Sequence, residues 1–105
     1  MYSDTMKDCL EAIKVTDAQV SAEQLKYSVR DGYAEIELYI SSKRISYRVK
    51  GDPYIIAMVK WLQIYLSNNN GIFKLSLNTF IEKFELPDNK LRNAILMMEL
   101  VEQLK

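Results

Sequence analysis

The stretch LKYSVRDGYAEIELYISSKRISYRVK, residues 25–50, alternates apolar and polar side chains almost without interruption. A period of two is the pattern of strands with one buried face. Two turn signals divide it. Asp31-Gly32 is a type I′ hairpin signal, because that turn takes positive φ at both central positions. Centring a turn there pairs Val29 with Ala34, Tyr27 with Ile36 and Leu25 with Leu38. Ser42-Lys43 marks a second turn and pairs Ile40 with Ile45, Leu38 with Tyr47 and Ile36 with Val49. Two independently placed turns thus put every one of these residues on the same sheet face. A one-residue slip would scatter the set. The sequence predicts a three-stranded antiparallel meander over residues 24–50.

The opposite face carries charges that pair. Glu37 falls between Lys26 and Arg48, and Glu35 falls opposite Lys50. Cross-strand pairs of opposite charge contribute roughly 0.2–1 kcal/mol each. Arg48 and Lys50 are therefore expected to serve the sheet. Lys43, Arg44 and Arg30, at the turns, have no such partner and remain available.

Helical periodicity flanks the meander. Met6, Cys9, Leu10 and Ile13 form one apolar stripe, with Ser3 as N-cap and Asp4 near the positive end of the helix dipole. Cys9, on that stripe, is expected to be a small buried hydrophobe. Residues 15–24 allow two readings. Ser21 and Gln24 match a capping box that would open a second short helix, with Val20 stapled to Leu25; alternatively, a strand starts at Gln24. Asp52-Pro53 opens a helix over residues 53–68, Asp as N-cap and Pro at the first position. That helix is apolar almost all round, so it should be central, with Trp61 and Tyr65 in the core and one narrow wet stripe of Lys60, Gln63 and Ser67. Gly71 suits a left-handed cap. An extended segment IFKL follows. Ser76 caps a helix bearing Leu77, Phe80, Ile81 and Phe84. Leu86-Pro87 breaks the chain, and Asp88 caps a last helix whose core stripe is Leu91, Ile95 and Met98. The expected class is α+β: an N-terminal helix, the meander, then three helices. The chain reads as one domain over residues 1–105, divided into 1–23, 24–50 and 53–105.

Composition narrows the function. The chain has 105 residues, 49% of them hydrophobic, with no histidine and one cysteine. That is enough for a core without cross-links. One cysteine leaves no internal disulfide and no cysteine-rich zinc site. No histidine, glycine-rich phosphate loop or repeated carboxylate motif is present to nominate a catalytic, cofactor or metal site. The opening MYSDTMKDCLEAIK carries charges where a signal peptide needs an apolar core, and the longest apolar run, residues 54–59, is too short for a bilayer. A cytoplasmic protein is expected. The 14 basic residues equal the 14 acidic ones, and nucleic-acid binders usually carry a basic excess.

Residues 54–105 resemble winged-helix and helix-turn-helix domains in their order of helix, short strand, helix, turn and helix. The resemblance is carried by Gly71 before IFKL, by Phe80, Ile81 and Phe84, by Leu86 in the turn, and by Leu91, Ile95 and Met98. It differs in that the hairpin precedes the helices. Such domains lay the third helix in the major groove with its N-terminal residues on base edges. The resemblance therefore implies double-stranded DNA as partner and Asn89, Lys90, Arg92 and Asn93 as readers, residue types that suit guanine and adenine edges. Lys43 and Arg44 would add backbone contacts. Glu99 and Glu102 oppose such a role for the rest of the helix. Leu96, Met97, Leu100 and Leu104 exceed what a small core needs and are expected to form a homodimer or protein-partner interface. Two function classes result: a DNA-binding regulator, or a protein-interaction module within a larger assembly.

Overall fold

A computed structural model describes residues 2–105. The fold is α+β. Helix α1 (Asp4–Ala12) is followed by a 3-10 helix (Val15–Ala18), the strands β1 (Leu25–Arg30), β2 (Glu35–Ile40) and β3 (Ile45–Lys50), and helices α2 (Pro53–Ser67), α3 (Leu77–Phe84) and α4 (Leu91–Leu104). The sheet is antiparallel in the order β1-β2-β3.

The second hairpin has the expected register: Ile40 pairs with Ile45, Leu38 with Tyr47 and Ile36 with Val49. The first is displaced by two residues, pairing Val29 with Ile36, Tyr27 with Leu38 and Leu25 with Ile40. The cause is Asp31. Its Oδ1 accepts from the N–H groups of Tyr33 and Ala34, both at 2.9 Å, while its own N–H donates to the Ala34 carbonyl. The turn is centred on Gly32-Tyr33, and neither residue has positive φ, so the type I′ expectation does not hold. Ser41 does the same work in the second turn, its Oγ accepting from Lys43 and Arg44. A shift of two preserves side-chain parity, so the predicted apolar face survives it. Ile36, Leu38 and Tyr47 are buried there.

On the other face, Glu37 stands opposite Ser28 and Arg48. Lys26 reaches it diagonally at 3.1 Å, and Arg48 lies over the Tyr39 ring at 5.7 Å. Glu35 and Lys50 are opposite in register, as expected, but form no ion pair. Part of this face is covered. Ser46 and Tyr39 are buried beneath the connector that ends in Gln24, whose Nε2 donates to the Tyr39 and Arg44 carbonyls and to Ser46 Oγ. Gln24 Oε1 does accept from the Ser21 N–H at 2.8 Å, yet no helix follows and β1 starts at Leu25.

Helix α2 is the centre of the core, with Ile55, Ala57, Met58, Val59 and Leu62 fully buried. Its expected wet stripe is mostly dry. Lys60 and Gln63 are buried because the 3-10 helix folds Asp17 over them. Lys60 Nζ lies 2.9 Å from Asp17 Oδ2, Gln63 Nε2 donates to Asp17 Oδ1, and the Tyr47 hydroxyl donates to Oδ2 at 3.0 Å. Burial pushes the Asp17 carboxyl up. Hydrogen bonds from the Lys14 backbone, Lys60, Tyr47 and Gln63 outweigh that and hold it below the usual range. Burial, then Asp17, pushes Tyr47 well above its ordinary value. Cys9 is buried as expected, its thiol raised chiefly by burial; α1 ends before Ile13, which is exposed.

Helix ends and connectors depart from the expected pattern. Asn69, not Gly71, takes the left-handed conformation after α2, with φ of 60°. The Asn70 N–H reaches back to Tyr65 and the Asn69 N–H to Leu66, which is a Schellman closure. Glu85, with φ of 48°, closes α3 in the same way onto Ile81 and Glu82. Residues Ile72–Lys74 form a 3-10 helix rather than an extended strand, and Asp88–Lys90 form another, so α4 begins at Leu91 without the Asp88 cap.

Helix α4 buries a different face from the one predicted. Ala94, Leu96, Met97, Leu100 and Val101 are in the core, while Leu91 and Ile95 are exposed. Leu96, Met97 and Leu100 therefore cannot form an exposed oligomer interface, and Leu104 packs against the same core. At its far end α4 reaches the sheet edge, where Gln103 Nε2 donates to the Ser28 carbonyl at 2.8 Å. The Asp31–Ala34 bond sets the alternation of the β1–β2 ladder, so this carbonyl points away from β2.

Candidate interaction surfaces

Two of the expected readers at the start of α4, Lys90 and Asn93, are turned onto Asp52, whereas Asn89 and Arg92 are exposed. Asp52 is the N-cap of α2, its Oδ1 accepting from the Ile55 N–H at 3.1 Å. Its two oxygens also accept from Asn93 Nδ2, at 3.1 and 3.0 Å, and Lys90 Nζ lies 2.9 Å from Oδ2. Asn93 is buried. One carboxylate thus ties α4 to α2. Burial raises the Asp52 carboxyl, but Lys90, Asn93 and the Ile55 N–H bring it below the usual range; Asp52 in turn holds the Lys90 ammonium above its ordinary value. Arg92 lies 3.5 Å from Asp31 Oδ2 and stacks over Tyr33, 4.9 Å from the ring centroid. The N–H of Tyr33, then that of Ala34 and the charge of Arg92, depress Asp31 against its partial burial. Asn89 is exposed. These groups line a polar hollow of about 350 Å³ between the first hairpin turn and the two helix starts. Its two cations meet two carboxylates, so it offers little net positive potential.

Lys43 and Arg44 do not join that group. They sit at the β2–β3 turn, and Lys90 and Arg92 sit beside the β1–β2 turn. The six residues of β2 separate the two turns, which is about 20 Å at strand rise. The six expected DNA contacts fall at opposite ends of the sheet.

Two features take their meaning only from the folded chain. The first is the stripe of Leu91, Ile95 and Met98, spaced i, i+4 and i+7 on α4. Its spacing predicts a core face, but Ile95 is 52% exposed and Leu91 and Leu77 are also exposed, while Met98 is partly buried. Leu77, Ile95 and Met98 line a shallow groove between α3 and α4, bordered by Glu99 and Glu102. The second is the set of carboxylates Asp17, Asp31 and Asp52, each organising residues distant in the chain. Among the described residues no helix is long and apolar enough to cross a membrane, and no cluster of three or more His, Cys, Asp or Glu side chains could hold a metal ion. The chain matches no protein-family model and no curated protein.

Proposed function

We propose that this chain is a protein-interaction module whose docking surface is the α3–α4 groove, and that its partner presents a basic amphipathic helix. The observation that carries this reading is the exposed pair Leu91 and Ile95 on α4, continued by the partly buried Met98 and by the exposed Leu77 of α3. Three apolar side chains over two helical turns fit the i, i+3, i+4, i+7 anchors of a helix laid in a groove. The rim supplies the sign. Glu99 is exposed and has no ion-pair partner among the described residues, and Glu102 is paired only with the neighbouring Lys105. A second copy of this chain would bring the same glutamates to a shared boundary, so charge favours a basic partner over a homodimer.

The test is a pair of amphipathic helical peptides with identical leucine faces, one with lysine and one with glutamate on the polar face. Saturable amide shifts around Leu77, Ile95 and Met98 with the lysine peptide alone, abolished by Ile95→Asp, are the expected result. Equal binding of both peptides, or binding that survives Ile95→Asp, overturns it. The DNA-binding reading retains Asn89 and Arg92, the exposed pair at the start of α4. It requires salt-sensitive binding to duplex DNA that Arg92→Ala weakens.

A further inference from the structure

A cleft of about 490 Å³ lies at the other end of the sheet from Asp52. Its floor is built from Tyr27, Ile40, Ile45, Leu66, Ile72 and Leu104, contributed by all three strands, the end of α2, the 3-10 helix after it and the end of α4. Each of these six is only partly buried against the core. They line the space rather than fill it. The volume is within the roughly 300–1,000 Å³ typical of small-molecule sites, which combine apolar walls with a few placed polar groups.

Ser41, Ser42, Ser67 and Asn69 add neutral polar groups, and the charged groups here have one sign. Lys43 and Arg44 stand on the rim, and no carboxylate side chain lines the cleft. Neither cation belongs to an ion pair among the described residues. Arg44 is held in place by donating one Nη to the Thr16 carbonyl at 3.2 Å, which leaves its remaining N–H donors free. The backbone beneath the two side chains is also fixed, because Ser41 Oγ accepts both of their N–H groups. We propose that this cleft binds a small monocarboxylic acid with an apolar tail, the tail on the six-residue floor and the carboxylate on Lys43 and Arg44. A guanidinium is the side chain best shaped for bidentate carboxylate binding. A neutral ligand would leave both cations unused, and a cationic one would be repelled. The site is separate from the α3–α4 groove and does not depend on the module reading.

The experiment uses four probes on the full chain: octanoate, octanol, octyltrimethylammonium and acetate. Octanoate is expected to shift the amides of residues 41–45 and of Leu104 saturably, with acetate and the ammonium probe giving no saturable shift. The double variant Lys43→Glu, Arg44→Glu should weaken octanoate about tenfold or more, the loss of a charge-assisted contact, and leave octanol within about twofold. Circular dichroism checks that the variant remains folded. Equal binding of octanoate and octyltrimethylammonium overturns the proposal, as does an octanoate affinity unchanged in the double variant. Shifts centred on Ile95 and Met98 instead of residues 41–45 overturn it as well.

Discussion

Replacing Asp17 by alanine should be the most damaging polar substitution in this chain. Its carboxylate is within 2.9 Å of the Lys60 ammonium, and both side chains are over nine-tenths buried. Removing it leaves an ammonium in the interior with only Gln63 Oε1 as acceptor, at 2.7 Å. It also strips partners from the Tyr47 hydroxyl and the Lys14 N–H. Breaking a buried pair from one side costs about 3–5 kcal/mol. A domain of this size has a total stability of about 5–15 kcal/mol, so the urea midpoint should fall by about a fifth or more. Lys60→Met should cost less. The carboxylate would keep its bonds from Tyr47, Gln63 and the Lys14 N–H, and the methionine would fill most of the lysine's volume. The assay is equilibrium urea unfolding followed by Trp61 fluorescence and far-ultraviolet circular dichroism, with the double variant closing the cycle. A cost below about 1 kcal/mol for Asp17→Ala, or equal costs for the two single variants, would refute the account of a dry, carboxylate-centred network.

Asp52→Ala should cost about 2–3 kcal/mol, combining the loss of a helix cap with a buried Asn93 amide left unsatisfied; a urea midpoint within experimental error of wild type would contradict it. Glu85→Gly should stabilise by about 1 kcal/mol, since a left-handed residue with a Cβ is strained and glycine is not, and thermal unfolding would register the gain. Acid should destabilise in a defined window. Asp17, Asp31, Glu37 and Asp52 all have depressed folded-state values. Their contribution is complete above the unfolded carboxylate range of about 4 and is lost as pH falls through the lower folded values. Urea midpoints between pH 2 and 6 should therefore fall towards the acid end, and less steeply in Asp17→Asn.

The sheet was readable because its signal is local and redundant: alternation and two turns agree on one apolar face. The two-residue error in the first hairpin arises from a choice the letters DG do not decide. The aspartate can sit inside the turn, or before it as an acceptor for the turn's N–H groups. The fourth helix carries two apolar stripes, and periodicity alone does not say which faces inward. Lys60, Gln63 and Asn93 looked solvent-facing for a related reason. The partners that bury them, Asp17 and Asp52, lie 43, 46 and 41 positions away, beyond any local pattern. The same distances explain the site. Lys90 and Arg92 have the residue types of a reading helix, but their carboxylate partners become visible only in the folded chain.

Gln103 and Ser28 are 75 positions apart, and that separation has a consequence during synthesis. A chain grows at about 5–20 residues per second, so β1 is complete for about 4–15 s before its guarding glutamine exists. Throughout that interval the outward carbonyl of Ser28 is open to any extended strand nearby, including that of a neighbouring nascent chain. The basic side chains of Lys26 and Arg30 flank that carbonyl, and charges of this kind discourage edge-to-edge pairing. They are present from the moment the strand is made. The strand thus has an early electrostatic deterrent and a late hydrogen-bonded plug. Neutralising the two cations should harm the yield of soluble chain more than the stability of the finished fold.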